Sequence, residues 1–150
     1  MTEGENTLTV RAANAADAQF VEAAEQKYID CPWTLEQIES EIKNPNAVFL
    51  VAEQNGNRVG YASGVIVAGE CEISNIAVVS EYRRRGVGRT LMHALICQAK
   101  KRGAGAVFLL VRSDNTPAIA LYNASGFAEV GIRKNYYKGD KNALIMRLDL

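Results

Sequence analysis

The segment that most constrains this chain is N-I-A-V-V-S-E-Y-R-R-R-G-V-G-R, Asn75 to Arg89. A β-rich run enters it, glycines stand at 86 and 88, and an apolar-periodic helix leaves it, with Val87, Leu91, Ala94 and Leu95 on one stripe. A chain that turns from strand to helix exposes unpaired N–H groups at the positive end of the helix dipole, which favours an anion there. Gly86 and Gly88 let the backbone come close to a bound group. Arg83, Arg84, Arg85 and Arg89 supply charge and the paired donors that suit phosphate. The spacing is neither G-x-x-x-x-G-K nor G-x-G-x-x-G, so a nucleotide-triphosphate loop is disfavoured. From these residues alone two readings stand: an anion site, or a solvated basic helix start with glycines that only tighten the turn.

The rest of the chain reads as one domain around this turn. Residues 1 to 5 have the composition of a disordered tail, and Thr7 to Arg11 alternates like a short strand. Asn14 is placed to cap a helix to about Ile29, with Phe20, Val21, Ala24 and Tyr28 on its apolar side. Pro32 and Trp33 break it, and Thr34 with Gln37 has capping-box spacing for a second helix to about Lys43. Asn55-Gly56 between Val48–Ala52 and Val59–Val67 is a hairpin signal, and Ala68-Gly69 turns the chain into a third strand from Glu70 to Val79. The helix after the arginines runs from Gly86 to Arg102, where Gly103 and Gly105 end it. Ala106 to Val111 is apolar without alternation, as in a strand covered on both faces. Asp114 or Asn115 caps a helix with Pro117 in its first turn, Gly126 stops it, and Phe127–Ile132 and Ala143–Leu148 are the last strands. The expected class is α/β: a mixed, mostly antiparallel sheet of six to seven strands with about four helices packed over it.

Composition excludes several functions. With 17 basic and 17 acidic residues, the chain lacks the basic excess of a nucleic-acid binder. Three cysteines at 31, 71 and 97 form no disulfide framework, and a single histidine, His93, leaves no zinc pattern, so no metal is expected. The cysteines read as small buried residues, and their spacing from His93 offers no support for a covalent cysteine mechanism. No apolar run approaches the roughly 18 residues of a membrane span, and no signal segment is read. A cytoplasmic protein without a membrane partner is the expectation. The sequence does not set an oligomeric state.

At this point a resemblance enters. R-x-x-G-x-G after N-I-A-V, with Arg83, Gly86 and Gly88 at its defining positions, resembles the acyl-CoA signature of the GCN5-related N-acetyltransferases (GNAT). V-R-S-D-N-T-P-A-I-A-L-Y-N-A-S-G-F, Val111 to Phe127, resembles that family's next strand and helix. Pro32-Trp33 and R-K-N-Y-Y, Arg133 to Tyr137, are similar to its RimI type, the bacterial enzymes that acetylate the N-terminal alanine of a small-subunit ribosomal protein. The similarity runs over roughly residues 7 to 149.

The resemblance implies acetyl-CoA as co-substrate and a peptide or protein N-terminus as acceptor. It implies that backbone amides from Arg84 to Arg89, with Val87 and Gly88 among them, hold the CoA pyrophosphate. Ile76, Ala77 and Val78 would line the pantetheine arm, with one N–H directed at the acetyl carbonyl. Asn115 would contact CoA, and Tyr122 would protonate the leaving thiolate. Trp33 and Tyr137 would wall the acceptor groove. Members of the RimI type usually carry a glutamate immediately before the V-R pair, and here that position is Leu110. Glu72, on the strand before the turn, is the substitute base. Its other reading is an exposed strand glutamate beside Glu70. Two further functions stay open on the sequence: acetylation of a small amine or a protein lysine, and a weakly catalytic CoA-binding module.

Overall fold

The structure is a computed structural model and describes residues 7–150; the expected tail at 1–5 lies outside the described residues. Seven strands and four α-helices alternate as β1 (Leu8–Ala12), α1 (Ala18–Tyr28), α2 (Leu35–Lys43), β2 (Ala47–Gln54), β3 (Asn57–Val67), β4 (Glu70–Val78), α3 (Val87–Lys101), β5 (Ala106–Arg112), α4 (Thr116–Ala124), β6 (Ala128–Tyr137) and β7 (Lys141–Asp149). One sheet holds all the strands in the order β1-β2-β3-β4-β5-β7-β6. The single parallel pair among them is β4 with β5; the remaining pairs are antiparallel. This is the single α/β domain with a mixed, mostly antiparallel sheet that the sequence led us to expect.

Local chemistry sets the elements. Asn14 and Asp17 form a capping box over a 3₁₀ turn that leads into α1, and Thr34 with Gln37 forms a second one at α2. Asn55 and Gly56 both adopt positive φ, 55° and 79°, the mirror-image turn that matches the twist of the β2–β3 hairpin. Asn115, rather than Asp114, caps α4, accepting from the Ala118 N–H. The two faces of the sheet bury separate cores. On one, α3 packs Val87, Leu91, Met92, Leu95 and Ala99 against Cys71, Ile73, Val107, Leu109 and Val111. On the other, α1 and α2 place Val21, Ala24 and Ile38 over Phe49, Val51, Tyr61 and Ala77.

The pairing of β3 with β4 contains one irregularity. Along β3 and β4 the register passes from Ser63↔Asn75 to Gly64↔Ile73, so Ser74 is an extra residue. A bulge of this kind bends its strand and shifts the alternation of side chains. Before it, Cys71 and Ile73 face α3; after it, Ile76 and Val78 join the α3 side while Ala77 joins the α1–α2 side. The parallel ladder to β5 covers only Glu70↔Ala106, Cys71↔Val107 and Glu72↔Phe108. From Ile73 onward β4 has no partner on that side, and the sheet opens between the two strands.

Candidate active site

The opening and the glycine turn belong to the same few residues. β4 ends at Val78, and a 3₁₀ turn, Ser80–Tyr82, carries the chain to the arginines. Tyr28 of α1 latches this turn: its hydroxyl accepts from the Ser80 N–H at 3.0 Å and lies 3.1 Å from Ser80 Oγ, bonds that lower the Tyr28 phenol from its usual range. From the sequence, Tyr28 is legible only as a residue on the apolar side of α1.

Gly86 is the N-cap of α3, at φ 83°, and no side chain caps the helix. The first intrahelical bond runs from the Thr90 N–H to Gly86 O at 3.0 Å, so the N–H groups of Val87, Gly88 and Arg89 have no helix partner. A Cβ at Gly86 would meet nothing within 4 Å. The glycine is there for its left-handed backbone, and the space over it is open. Gly88 serves packing instead: a Cβ there would lie 3.4 Å from Leu121 Cδ2 and 3.9 Å from Val78 Cγ2. Close approach at Gly88 brings the start of α3 against α4 and the end of β4.

The arginines divide in use. Arg83 donates Nε to Val78 O at 3.1 Å and lays its guanidinium over the Tyr28 ring, 4.7 Å from its centre. Arg85 lies over the Tyr82 ring at 5.4 Å. Arg84, at φ 63°, and Arg89 are exposed and make no hydrogen bond or ion pair among the described residues. Open N–H groups, an uncapped helix start and exposed guanidinium groups together suit a pyrophosphate, and the adjoining split between β4 and β5 suits an extended amide-bearing arm. These residues fit acetyl-CoA.

Tyr122, on α4, is 7% exposed and packs edge-on to Phe127 with ring centres 6.1 Å apart. Burial, with Tyr137 nearby, pushes its phenol up to about 12. Tyr137 is itself raised by burial and by Tyr136, and it feels Arg112, Asp30 and Cys31. Tyr137, at the end of β6, thus lies within electrostatic reach of Asp30 and Cys31 in the loop between α1 and α2. Arg112, at the end of β5, reaches the same loop: it bonds Asp30 at 2.7 Å and Asp114 through two bonds of 3.0 Å, and Lys141 approaches Asp114 at 3.4 Å. The Arg112 guanidinium holds the Asp114 carboxyl down to about 2. Trp33 is half-buried in the same loop, against the α1–α2 core. A shallow depression of about 520 Å³ runs along α2 beside Trp33, lined also by Thr34, Glu36, Gln37, Ser40 and Glu41, but no other expected site residue reaches it.

Glu72 is exposed and makes no hydrogen bond or ion pair among the described residues. It occupies the last rung before the strands part, opposite Phe108 on β5 and Val65 on β3. Val107, Leu109 and Val111 face α3, so Phe108 and Leu110 face the other way by alternation, on the side Glu72 shares. Asn115 uses Oδ1 to cap α4 at 3.3 Å, and its Nδ2 makes no hydrogen bond among the described residues.

Two readings of the sequence need correction. Cys31 is exposed and Cys97 partly so; only Cys71 is buried, and burial pushes its thiol up to about 11. His93 and Cys97 are also neighbours, Nε2 to Sγ 3.6 Å, because residues four apart meet on one helix face. That face of α3 is turned away from the sheet, where Leu91, Leu95 and Ala99 are buried instead.

One residue was missed altogether. Glu25 of α1 is fully buried on the α1–α2 side of the sheet. Its Oε2 accepts from Tyr61 Oη and, at 2.9 Å, from Asn75 Nδ2; its Oε1 accepts the Trp33 N–H at 2.8 Å. Burial pushes the Tyr61 phenol far up, and the bond to Glu25 adds to the shift. The only signal was position, since Glu25 lies four residues after Val21 on the apolar stripe.

A sheet that opens beside an uncapped, glycine-started helix has the architecture of an acyl-CoA-dependent transferase. The chain belongs to the acetyltransferase (GNAT) family, whose model matches residues 10–127. It is 35% identical over 145 residues to the ribosomal protein bS18-alanine N-acetyltransferase of Escherichia coli (strain K12), covering 95% of this chain and 97% of the relative. It is 36% identical over 157 residues to the N-alpha-acetyltransferase RimI of Mycobacterium tuberculosis, covering 99% and 97%. The crystal structure of the ribosomal-protein-S18-alanine N-acetyltransferase from Escherichia coli matches with a TM-score of 0.87 at 34% identity, covering 95% of this chain and 94% of that one.

Proposed function

We propose that this protein transfers the acetyl group of acetyl-CoA to the α-amine of a protein N-terminus, specifically the N-terminal alanine of a small-subunit ribosomal protein. The observation that carries the reading is the opening of the sheet between β4 and β5 from Ile73 onward, directly below the open turn at Gly86. Of the relatives that match nearly the full chain, one is named for acetylating an alanine of ribosomal protein bS18 and another for N-alpha-acetylation.

In this reading the N–H groups of the turn, Arg84 to Arg89, take the pyrophosphate. The unpartnered edge of Ile76, Ala77 and Val78 takes the pantetheine amides and offers an N–H to the thioester oxygen as it gains charge. Asn115 Nδ2 adds a contact from the start of α4. The amine attacks the carbonyl from the α1–α2 side, between Trp33 and Tyr137. The carbon–sulfur bond then breaks, and the thiolate takes the Tyr122 proton. A phenol held near 12 keeps that proton throughout the neutral range, so the donor is always loaded.

Glu72 accepts the amine's proton. Leucine at 110 cannot do so, and the demand on a base is modest for this acceptor. Reference pKa values make deprotonation at pH 7 cost about 1 kcal/mol for an α-amine and about 4.6 kcal/mol for a lysine. The same arithmetic favours an N-terminus over a lysine side chain.

The test is direct. The protein is incubated with acetyl-CoA and peptides whose N-termini are free or blocked, with and without lysine, and free thiol is measured. Turnover confined to free N-termini, best with alanine first, supports the proposal. Turnover on blocked lysine peptides or polyamines overturns it in favour of a side-chain acetyltransferase. Acetyl-CoA binding without turnover on any acceptor leaves a binding module.

A further inference from the structure

We propose that Glu25 is a positioning residue for the acceptor. It locks the loop between α1 and α2 to β4 immediately beyond the bulge, so that the Trp33 wall and the strand presenting the thioester keep one spacing. The inference rests on the function proposed above.

Glu25 joins four pieces of chain through one carboxylate: α1, which carries it; Tyr61 on β3; Asn75 on β4; and Trp33 in the loop. Asn75 is the residue after Ser74 and the one before Ile76. The middle of the loop has few backbone bonds: among the described residues, 30 to 33 donate none to a backbone carbonyl, and position 32 is proline, without an N–H. Among the described residues, the hydrogen bonds made by residues 30 to 33 are the Trp33 N–H on Glu25 and the exposed Arg112–Asp30 pair, while the Trp33 ring packs against the α1–α2 core. The exposed pair is weak, as surface ion pairs are.

The chemistry argues for position rather than stability. Glu25 enters none of the described ion pairs. Burying a carboxylate on neutral donors is costly, and an apolar side chain between Val21 and Tyr28 would stabilise the core more simply. A carboxylate has what an apolar residue lacks: two oxygens that accept from three donors on three segments at once, fixing their mutual distances. Glutamine cannot replace it. Its oxygen could keep Tyr61 and Asn75, but its NH₂ would then face the Trp33 N–H, donor against donor. The loop, being the least supported of the three, would let go.

Trp33 is the sole tryptophan of the chain, so its fluorescence reads the loop directly. For Glu25→Gln, the expected result is a red-shifted emission and faster amide exchange at Trp33. The KM for a free-N-terminus peptide should rise roughly tenfold or more, while the KM for acetyl-CoA stays within about twofold, as misplacement of one substrate implies. Tyr61→Phe, which keeps the ring and removes one donor, should raise the peptide KM by a smaller factor, and it serves as the test if Glu25→Gln does not fold. An unchanged peptide KM in the folded variant overturns the proposal. So does an equal rise in both KM values, which would mark a general loss of structure. Wild-type turnover on the peptide separates the two claims: without it the functional reading fails, whereas the tie itself is still judged by Trp33 emission and exchange.

Discussion

Glu72 pairs with Phe108 in the last rung shared by β4 and β5, and Leu110 stands two residues further along β5 on the same face. A carboxylate at 72 and one at 110 would therefore approach the opening from its two lips. Glu72→Gln is expected to lower kcat roughly a hundredfold, the low end for loss of a general base, with the acetyl-CoA Kd unchanged. Adding Leu110→Glu to that variant should recover most of the rate. Steady-state kinetics across pH checks both: a pH–rate profile unaltered by Glu72→Gln rules Glu72 out as the base.

Tyr122→Phe should keep the fold, because the ring still packs edge-on to Phe127. Its kcat should fall about a hundredfold through loss of the proton donor. The wild-type phenol, raised to about 12 by burial and by Tyr137, stays protonated below that pH. No alkaline loss of rate assignable to Tyr122 is therefore expected up to about pH 10, two units below that value. A Tyr122→Phe variant with full kcat would assign the leaving-group step elsewhere.

Gly86→Trp isolates the turn. Its Cβ enters open space, so the cost is the left-handed backbone, about 1–2 kcal/mol, while the indole fills the ground above the α3 N–H groups. Calorimetry should show acetyl-CoA binding weakened by roughly two orders of magnitude, about 2.7 kcal/mol, with the thermal transition still cooperative. Binding at wild-type strength would move the pyrophosphate away from this turn.

Asp17 governs acid stability. Burial alone would raise its pKa, but bonds from Arg11, the Asn14 N–H and Arg58 overcome that and hold the carboxyl well below the usual range. Because the folded value is depressed, this contribution is complete above the unfolded pKa near 3.9 and is lost as pH falls through the folded value. Thermal melts should decline below about pH 5 in the wild type, and less steeply in Asp17→Asn. At neutral pH that variant should be less stable by about 2 kcal/mol, as expected when charge-assisted hydrogen bonds to a buried carboxylate are lost while its arginine partners stay in reach of water.

Most of the framework was legible because its signals are local. Asn55-Gly56, the Asn14 cap, the Thr34–Gln37 capping box and Pro117 each act within a turn of chain, and each did what its chemistry demands. What escaped depends on partners far along the chain. β6 reaches Tyr137, five residues past its expected end at Ile132, because pairing with β7 carries an edge strand through charged residues with no alternation to mark them. Ser74 has no glycine or proline to betray a bulge. Tyr122, the glycine turn and Glu72 were all singled out from sequence with the help of the resemblance, whereas Glu25 passed for one more polar helix residue, since only the fold reveals what covers it.

The extra residue at Ser74 decides which direction each reactant comes from. With it, the strand shows Ile76 and Val78 to the layer that begins with the glycine turn, and Asn75 and Ala77 to the layer holding Glu25 and Trp33. Remove it, and those four side chains trade places. In the proposed reaction the thioester and the amine then enter through opposite doors of one wall, and neither product blocks the exit of the other. Deleting a single serine would exchange the two faces from Asn75 to Val78, and no substitution elsewhere on the strand could exchange them back.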